Sequence, residues 1–147
     1  MSEMQFEIHP TCQSREFTDQ LLSILHSGWS EVAEVLRKIG VGKIVTFSEF
    51  EISLLDDEEM ARVHGEFLKD PTTTDVITFQ HGELLIGVEV AERQSIDYGA
   101  SADLEIALYG IHGMLHLSGF DDRSPEDAEL MKARQEELLE VYFKGLF

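Results

Sequence analysis

Basic residues are scarce in this chain. Eleven lysines and arginines stand against 29 aspartates and glutamates, a formal net charge of −18 at neutral pH. Lys and Arg contacts to phosphate supply most non-specific affinity for nucleic acid, so this composition excludes indiscriminate binding to DNA or RNA. Cysteine is scarcer still. Cys12 stands alone, which excludes an internal disulfide, predicts a reducing compartment and leaves any metal site without thiolates. Long apolar runs are missing too: there is no stretch of about 18 apolar residues, the length a membrane helix needs. The opening residues MSEMQFEIHP lack the basic segment and apolar stretch of an export signal. These absences predict a soluble, cytoplasmic protein. What is present, 147 residues with 43% hydrophobic content, is enough for one domain spanning 1–147 with its own core.

The chemistry concentrates in His112 to Asp122, HGMLHLSGFDD. Histidines four apart on a helix project from one face, because the helix repeats every ~3.6 residues, so His112 and His116 can reach one metal ion. Gly119 can take the left-handed conformation that ends a helix and turns the chain back. Asp121 or Asp122 could then return a carboxylate to the same point. Two imidazoles and a carboxylate leave a fourth position for water, as catalytic zinc sites do. Nickel, copper and iron accept the same donors.

The rest of the chain reads as alternating strands and helices. Met4 to His9 alternates apolar and polar residues as a short strand, which Pro10 ends. Arg15 to Ile39 keeps helical spacing, with a break expected at Gly28 and Ser30 capping a second segment. Lys43 to Leu55 is rich in Val, Ile, Thr and Phe and reads as a strand. The acidic run Asp56 to Glu59 suits the first turn of a helix running to about Phe67. KDPTTT, residues 69–74, is a loop by composition. Asp75 to Gln80 and Glu83 to Val88, joined at His81 and Gly82, give the strongest hairpin signal. Helices follow over Glu89 to Tyr98, from a Ser101 cap, and from Ser124, Pro125, Glu126 and Asp127 onward. On the histidine helix, Leu104, Leu108, Ile111 and Leu115 predict a narrow core stripe with both histidines at its edge. By pattern alone this is an α+β chain, one layer of sheet against helices.

HGMLHLSGFDD resembles the HxxxHxxGxxH pattern of the YbeY family, single-domain metal-dependent endoribonucleases associated with ribosomal RNA maturation. LLDDEEM at 54–60, TTDVITF at 73–79 and GELLIGVEVAERQ at 82–94 look like that family's blocks in order and spacing. The resemblance implies one α/β domain with a small mixed sheet of about four strands flanked by helices. It implies a metal, taken as zinc, held by His112, His116 and Asp122, with Asp122 in the place of the third histidine. It also implies ribosomal RNA and ribosomal or ribosome-associated proteins as partners. In the family an arginine precedes the PTDV-like segment and helps handle phosphate. Here that place is Leu68, beside Lys69, so Lys69 is the candidate catalytic stand-in. Lysine neutralises phosphate without the two-pronged geometry of arginine.

An acidic enzyme acting on RNA needs its few bases gathered at the cleft, for which Lys69, Arg93 and Arg123 are candidates, or a protein partner that brings it there. The expected activity is metal-assisted hydrolysis by an endoribonuclease directed at single strands. A zinc-dependent peptidase or amide hydrolase is the alternative. Gly113 counts against it, since an HExxH protease carries its glutamate base at that place. Glu105 shares the histidines' azimuth but lies about 10 Å away along the axis at ~1.5 Å per residue. A third reading is a non-catalytic ribosome-associated factor whose metal staples the ligand loop to its helix.

Overall fold

The structure is a computed structural model that describes residues 4–68, 75–99 and 101–147. Strands β1 (Gln5–Pro10), β2 (Glu49–Leu55), β3 (Val76–Phe79) and β4 (Glu83–Gly87) form one mixed sheet in the order β1-β2-β4-β3. The pairs β1 with β2 and β2 with β4 are parallel, whereas β3 and β4 form the antiparallel hairpin the sequence predicts. Its turn uses Gly82 at φ 109°, a conformation side chains resist. Helices α1 (Asp19–Ile39), α2 (Asp57–Leu68), α3 (Val88–Tyr98), α4 (Ala102–Leu117) and α5 (Pro125–Tyr142) complete the α/β domain.

Strand alternation sorts the two faces of the sheet. Ile52 beside Leu84 and Leu54 beside Ile86 point into the main core, with Leu25, Trp29, Leu36, Ile106 and Met114 from the helices. On the other face Leu55, Leu85 and Ile77 pack under Met60 and Val63 of α2. The uncovered part of that face carries Glu7, Glu51 and Glu83 in register across three adjacent strands.

Four expectations need correction. Helix α1 is continuous through Gly28. A Cβ there would meet the Phe143 ring at 2.4 Å, so this glycine serves packing rather than a break. The cap is Thr18, whose side chain accepts from the Leu21 amide, and Ser30 lies inside the helix. Residues Lys43–Thr46 form a 3₁₀ turn, leaving β2 to start at Glu49. Gly42 before it, at φ 83°, lies so close to the end of α4 that a Cβ would sit 2.4 Å from the Leu117 carbonyl oxygen. Pro10 is the last residue of β1 rather than a stop before it, which an edge strand tolerates. Finally, α4 has no narrow stripe: Ile106, Ala107, Tyr109, Ile111, Met114 and Leu115 are buried around most of its circumference, while Leu104 and Leu108 are half-buried.

Two glycines let α4 sit that deep. A Cβ on Gly110 would lie 2.3 Å from Trp29 Nε1, and one on Gly113 would lie 2.8 Å from Leu84 Cδ2. Trp29 also donates its indole N–H to the Ala107 carbonyl at 3.0 Å. Overpacking such a contact typically costs 1–3 kcal/mol, roughly. Helix α4 is thereby held between α1 and the sheet, and its histidine edge faces outward.

Candidate metal centre

Ser101 starts α4 by accepting from the Leu104 amide at 3.1 Å, and the helix carries His112 and His116 one turn apart near its end. Gly119, at φ 92°, then turns the chain, and the Phe120 amide returns to the Leu115 carbonyl at 3.0 Å. This puts the Phe120 carbonyl over His116, whose Nδ1–H donates to it at 3.1 Å. His112 Nδ1–H donates to Gln135 Oε1 of α5. Both acceptors are carbonyl oxygens, which favours the tautomer with the proton on Nδ1 and a lone pair on Nε2. Those two Nε2 atoms are 3.0 Å apart. Facing lone pairs at that distance repel, and a cation between them reverses the sign. One ligand atom from each of His112, His116 and Asp122 lies within 4.8 Å of the others, completing a possible metal-binding group of two imidazoles and one carboxylate. Asp121 also lines the cleft, and its Oδ1 accepts from the Arg123 amide at 3.2 Å and braces the loop.

The histidines open onto a cleft of about 530 Å³. Its opposite wall is the edge strand β3 and the residues beside it, with Val76, Thr78 and Gln80 facing in at a period of two and Asp75 at the end. Arg123 also lines it, the one Lys or Arg among the described residues to do so. Arg93 does not reach the cleft; it pairs with Asp57 through two bonds of 2.7 and 3.2 Å. Lys69 lies outside the described residues. Glu105 does not line the cleft, but burial raises its carboxyl above the usual range, against a hydrogen bond from Tyr109 and with the help of the Asp75 charge. Gly113 faces Leu84 in the sheet, so no glutamate side chain could point from there into the cleft.

Sequence reasoning missed Gln135 and Asp75. Gln135 had no local signal, since it arrives from a helix 23 residues away in sequence. Asp75 was visible only as the first residue of a strand. A second group, Glu7, His9 and Glu51, also brings three ligand-type atoms within 4.8 Å, on the exposed acidic face of the sheet.

Two histidines at an open cleft of a small α/β domain, with an aspartate at ligand distance, define the class: a fold of this kind carrying a candidate metal centre. The sequence pattern of the family described as Endoribonuclease YbeY matches residues 13–142. The chain belongs to the YbeY family. A Bacillus cereus protein named Endoribonuclease YbeY is 28% identical over 150 aligned positions, covering 88% of this chain and 96% of that one. Its namesake from Myxococcus xanthus is 36% identical over 104 positions, covering 62% of this chain and 35% of the relative. In fold, the chain is similar to a Thermotoga maritima protein solved in solution, with a TM-score of 0.64 at 22% identity over 96% of this chain and 93% of that one. No helix among the described residues is long and apolar enough to cross a membrane.

Proposed function

We propose that this chain is a metal-dependent endoribonuclease that cleaves single-stranded segments of ribosomal RNA during ribosome maturation in the cytoplasm. Ribosomal or ribosome-associated proteins are its proposed protein partners. The observation that carries the reading is the pair of His112 and His116 Nε2 atoms 3.0 Å apart with the Asp122 carboxylate beside them, a donor set that fits a cation. Zinc is the proposed ion, since two imidazoles, one carboxylate and an open position are what it accepts in catalytic sites. When bound, it supplies Lewis acidity and lowers the pKa of a bound water to roughly 7 in the best cases. Membership of a family whose relatives are named endoribonucleases supplies the substrate class.

The chain's own groups have distinct tasks in this reading. His112, His116 and Asp122 hold the ion, while Gln135 and the Phe120 carbonyl fix the imidazole tautomers. Arg123 offers a two-pronged cation to a phosphate in the cleft. Lys69 is assigned a second phosphate contact in place of the family's arginine.

The deciding experiment presents metal-loaded protein with structured ribosomal RNA and, in parallel, with a panel of unstructured peptides. RNA should be cut and the peptides left intact. Cleavage of peptide with none of RNA overturns the reading. In the same assay Lys69→Ala should lower RNA cleavage without lowering metal content, and equal rates across a range of salt would remove Lys69 from the site.

A further inference from the structure

Strand β3 is the outermost strand of the sheet on the side of the histidine cleft, and the phase of its hydrogen bonds determines what its outer edge offers. The Gly87 N–H donates to the Asp75 carbonyl at 2.8 Å, and the Gly82 N–H donates to the Phe79 carbonyl at 3.1 Å. Along an antiparallel strand the N–H and C=O of successive residues point to opposite sides, so those of Ile77 face β4 and those of Val76 and Thr78 face away from it. The Val76 N–H is taken by its neighbour, Asp75 Oδ1, at 2.8 Å. That leaves the Val76 carbonyl, the Thr78 N–H and the Thr78 carbonyl, in that order, with no hydrogen-bond partner among the described residues. Both residues line the cleft onto which His112 and His116 open.

A substrate lying against this wall displaces water from those three groups and must replace the lost hydrogen bonds in kind. An extended peptide needs a ladder of N–H and C=O groups on alternate residues, and with the Val76 N–H spent the four-residue strand keeps one complete pair, on Thr78. A nucleobase needs less. Carbonyl, amide and carbonyl read as acceptor, donor and acceptor, and the Watson–Crick edge of adenine answers them with its N6 amine, its bare N1 and its weakly donating C2–H. Cytosine matches the first two and then sets its O2 against the Thr78 carbonyl. Guanine and uracil carry a proton on the ring nitrogen, which meets the Thr78 N–H with like sign. We infer that the outer edge of β3, from the Val76 carbonyl to the Thr78 carbonyl, is the subsite that reads one unpaired adenine next to the scissile phosphate. This rests on the endoribonuclease reading and adds the choice of base.

The test uses the metal-loaded full chain and a short single-stranded RNA whose cleaved bond has been mapped, remade with each of the four bases at the nucleotides flanking that bond. At one flanking position adenine should exceed guanine and uracil in kcat/KM by about tenfold or more, the usual discrimination of a two-point base contact. Replacing that adenine by 1-deazaadenine, which lacks N1, or by purine, which lacks the amine, should bring the rate down to the guanine level, whereas 7-deazaadenine should keep it. Thr78→Pro removes the N–H from an edge position where proline is tolerated and should erase the preference, while Thr78→Val keeps the N–H and should keep the preference. Equal rates for all four bases at both positions, or a loss with 7-deazaadenine as large as with 1-deazaadenine, overturn the inference and leave the endoribonuclease reading intact. RNA that is never cut, whatever its sequence, overturns both. If the bases are equivalent and an extended peptide competes with RNA for the parent but not for Thr78→Pro, the edge takes a peptide strand and the inference fails.

Discussion

Two groups among the described residues pair histidine with carboxylate at metal-ligand spacing, and they differ in what surrounds the ligands. His112 and His116 stand at the wall of a cleft, half-buried and each with its Nδ1 committed to a carbonyl oxygen, and the exposed Asp122 joins them at ligand distance. Glu7, His9 and Glu51 stand on the open face of the sheet, where His9 Nε2 lies 3.5 and 3.6 Å from two carboxylates and no other partner among the described residues fixes its ring. In the first group the outer hydrogen bonds choose the tautomer, so the nitrogens that converge carry lone pairs. In the second group the same distances suit a solvated ion pair, and exposed pairs of that kind contribute little. Ligand spacing is thus necessary for a metal centre, and the orienting partners separate it from a surface cluster.

The largest expected break in that comparison is at the ligands. His112→Ala or His116→Ala should abolish stoichiometric zinc and with it RNA cleavage, whereas His9→Ala should change neither. Asp122→Ala should lose most of the metal and Asp122→His should keep it, since imidazole also serves zinc. Metal analysis of the purified variants checks this, and Asp121→Ala stripped of metal beside a loaded Asp122→Ala would reverse the assignment.

A smaller effect is expected one shell outward. Gln135→Leu removes the acceptor on His112 Nδ1 and should weaken zinc binding about 10- to 100-fold, the usual cost of losing such a partner. Competition titration against a chelator measures it. Unchanged affinity would show that α5 orients nothing at the site.

The smallest effect concerns Glu105. Burial raises its folded-state pKa above the ordinary value of 4.5, so the folded protein favours the protonated acid. The resulting penalty on folding is absent below the unfolded value, grows as the pH rises between the two values and is complete above the folded-state value. Glu105→Gln should raise stability at neutral pH and lose that advantage in acid below about pH 4, as denaturant midpoints across pH will show. An advantage that is the same at every pH would trace to packing rather than charge.

What could be read from the sequence was local. The spacing of His112 and His116, the Gly119 exit, the Ser101 and Ser124 caps and the β3–β4 hairpin all depend on neighbours in the chain, and the structure has each of them. Helix α2 was legible too, although the carboxylate of Asp56 binds the Gln13 and Ser14 amides instead of capping the helix. What was hidden depends on distant residues. Gly28 read as a helix break because nothing nearby announces Phe143, and the breadth of the buried surface on α4 follows from Trp29 and Leu84. Gln135 was invisible for the same reason, because its role exists only once α5 lies beside α4.

The close approach of Gly42 to the end of α4 bears on the order in which the molecule assembles. Residues on either side of that contact are separated by three of the four strands and by helices α2 and α3, so closing it costs chain entropy that local pairing does not. Long-range closures of this kind come late and slow a folding reaction. The turn that delivers Asp122 rests on that closure at its back. The ligands of the candidate metal centre therefore converge only where a contact between distant parts of the chain has closed, so the site depends on the tertiary fold and not on its helix alone.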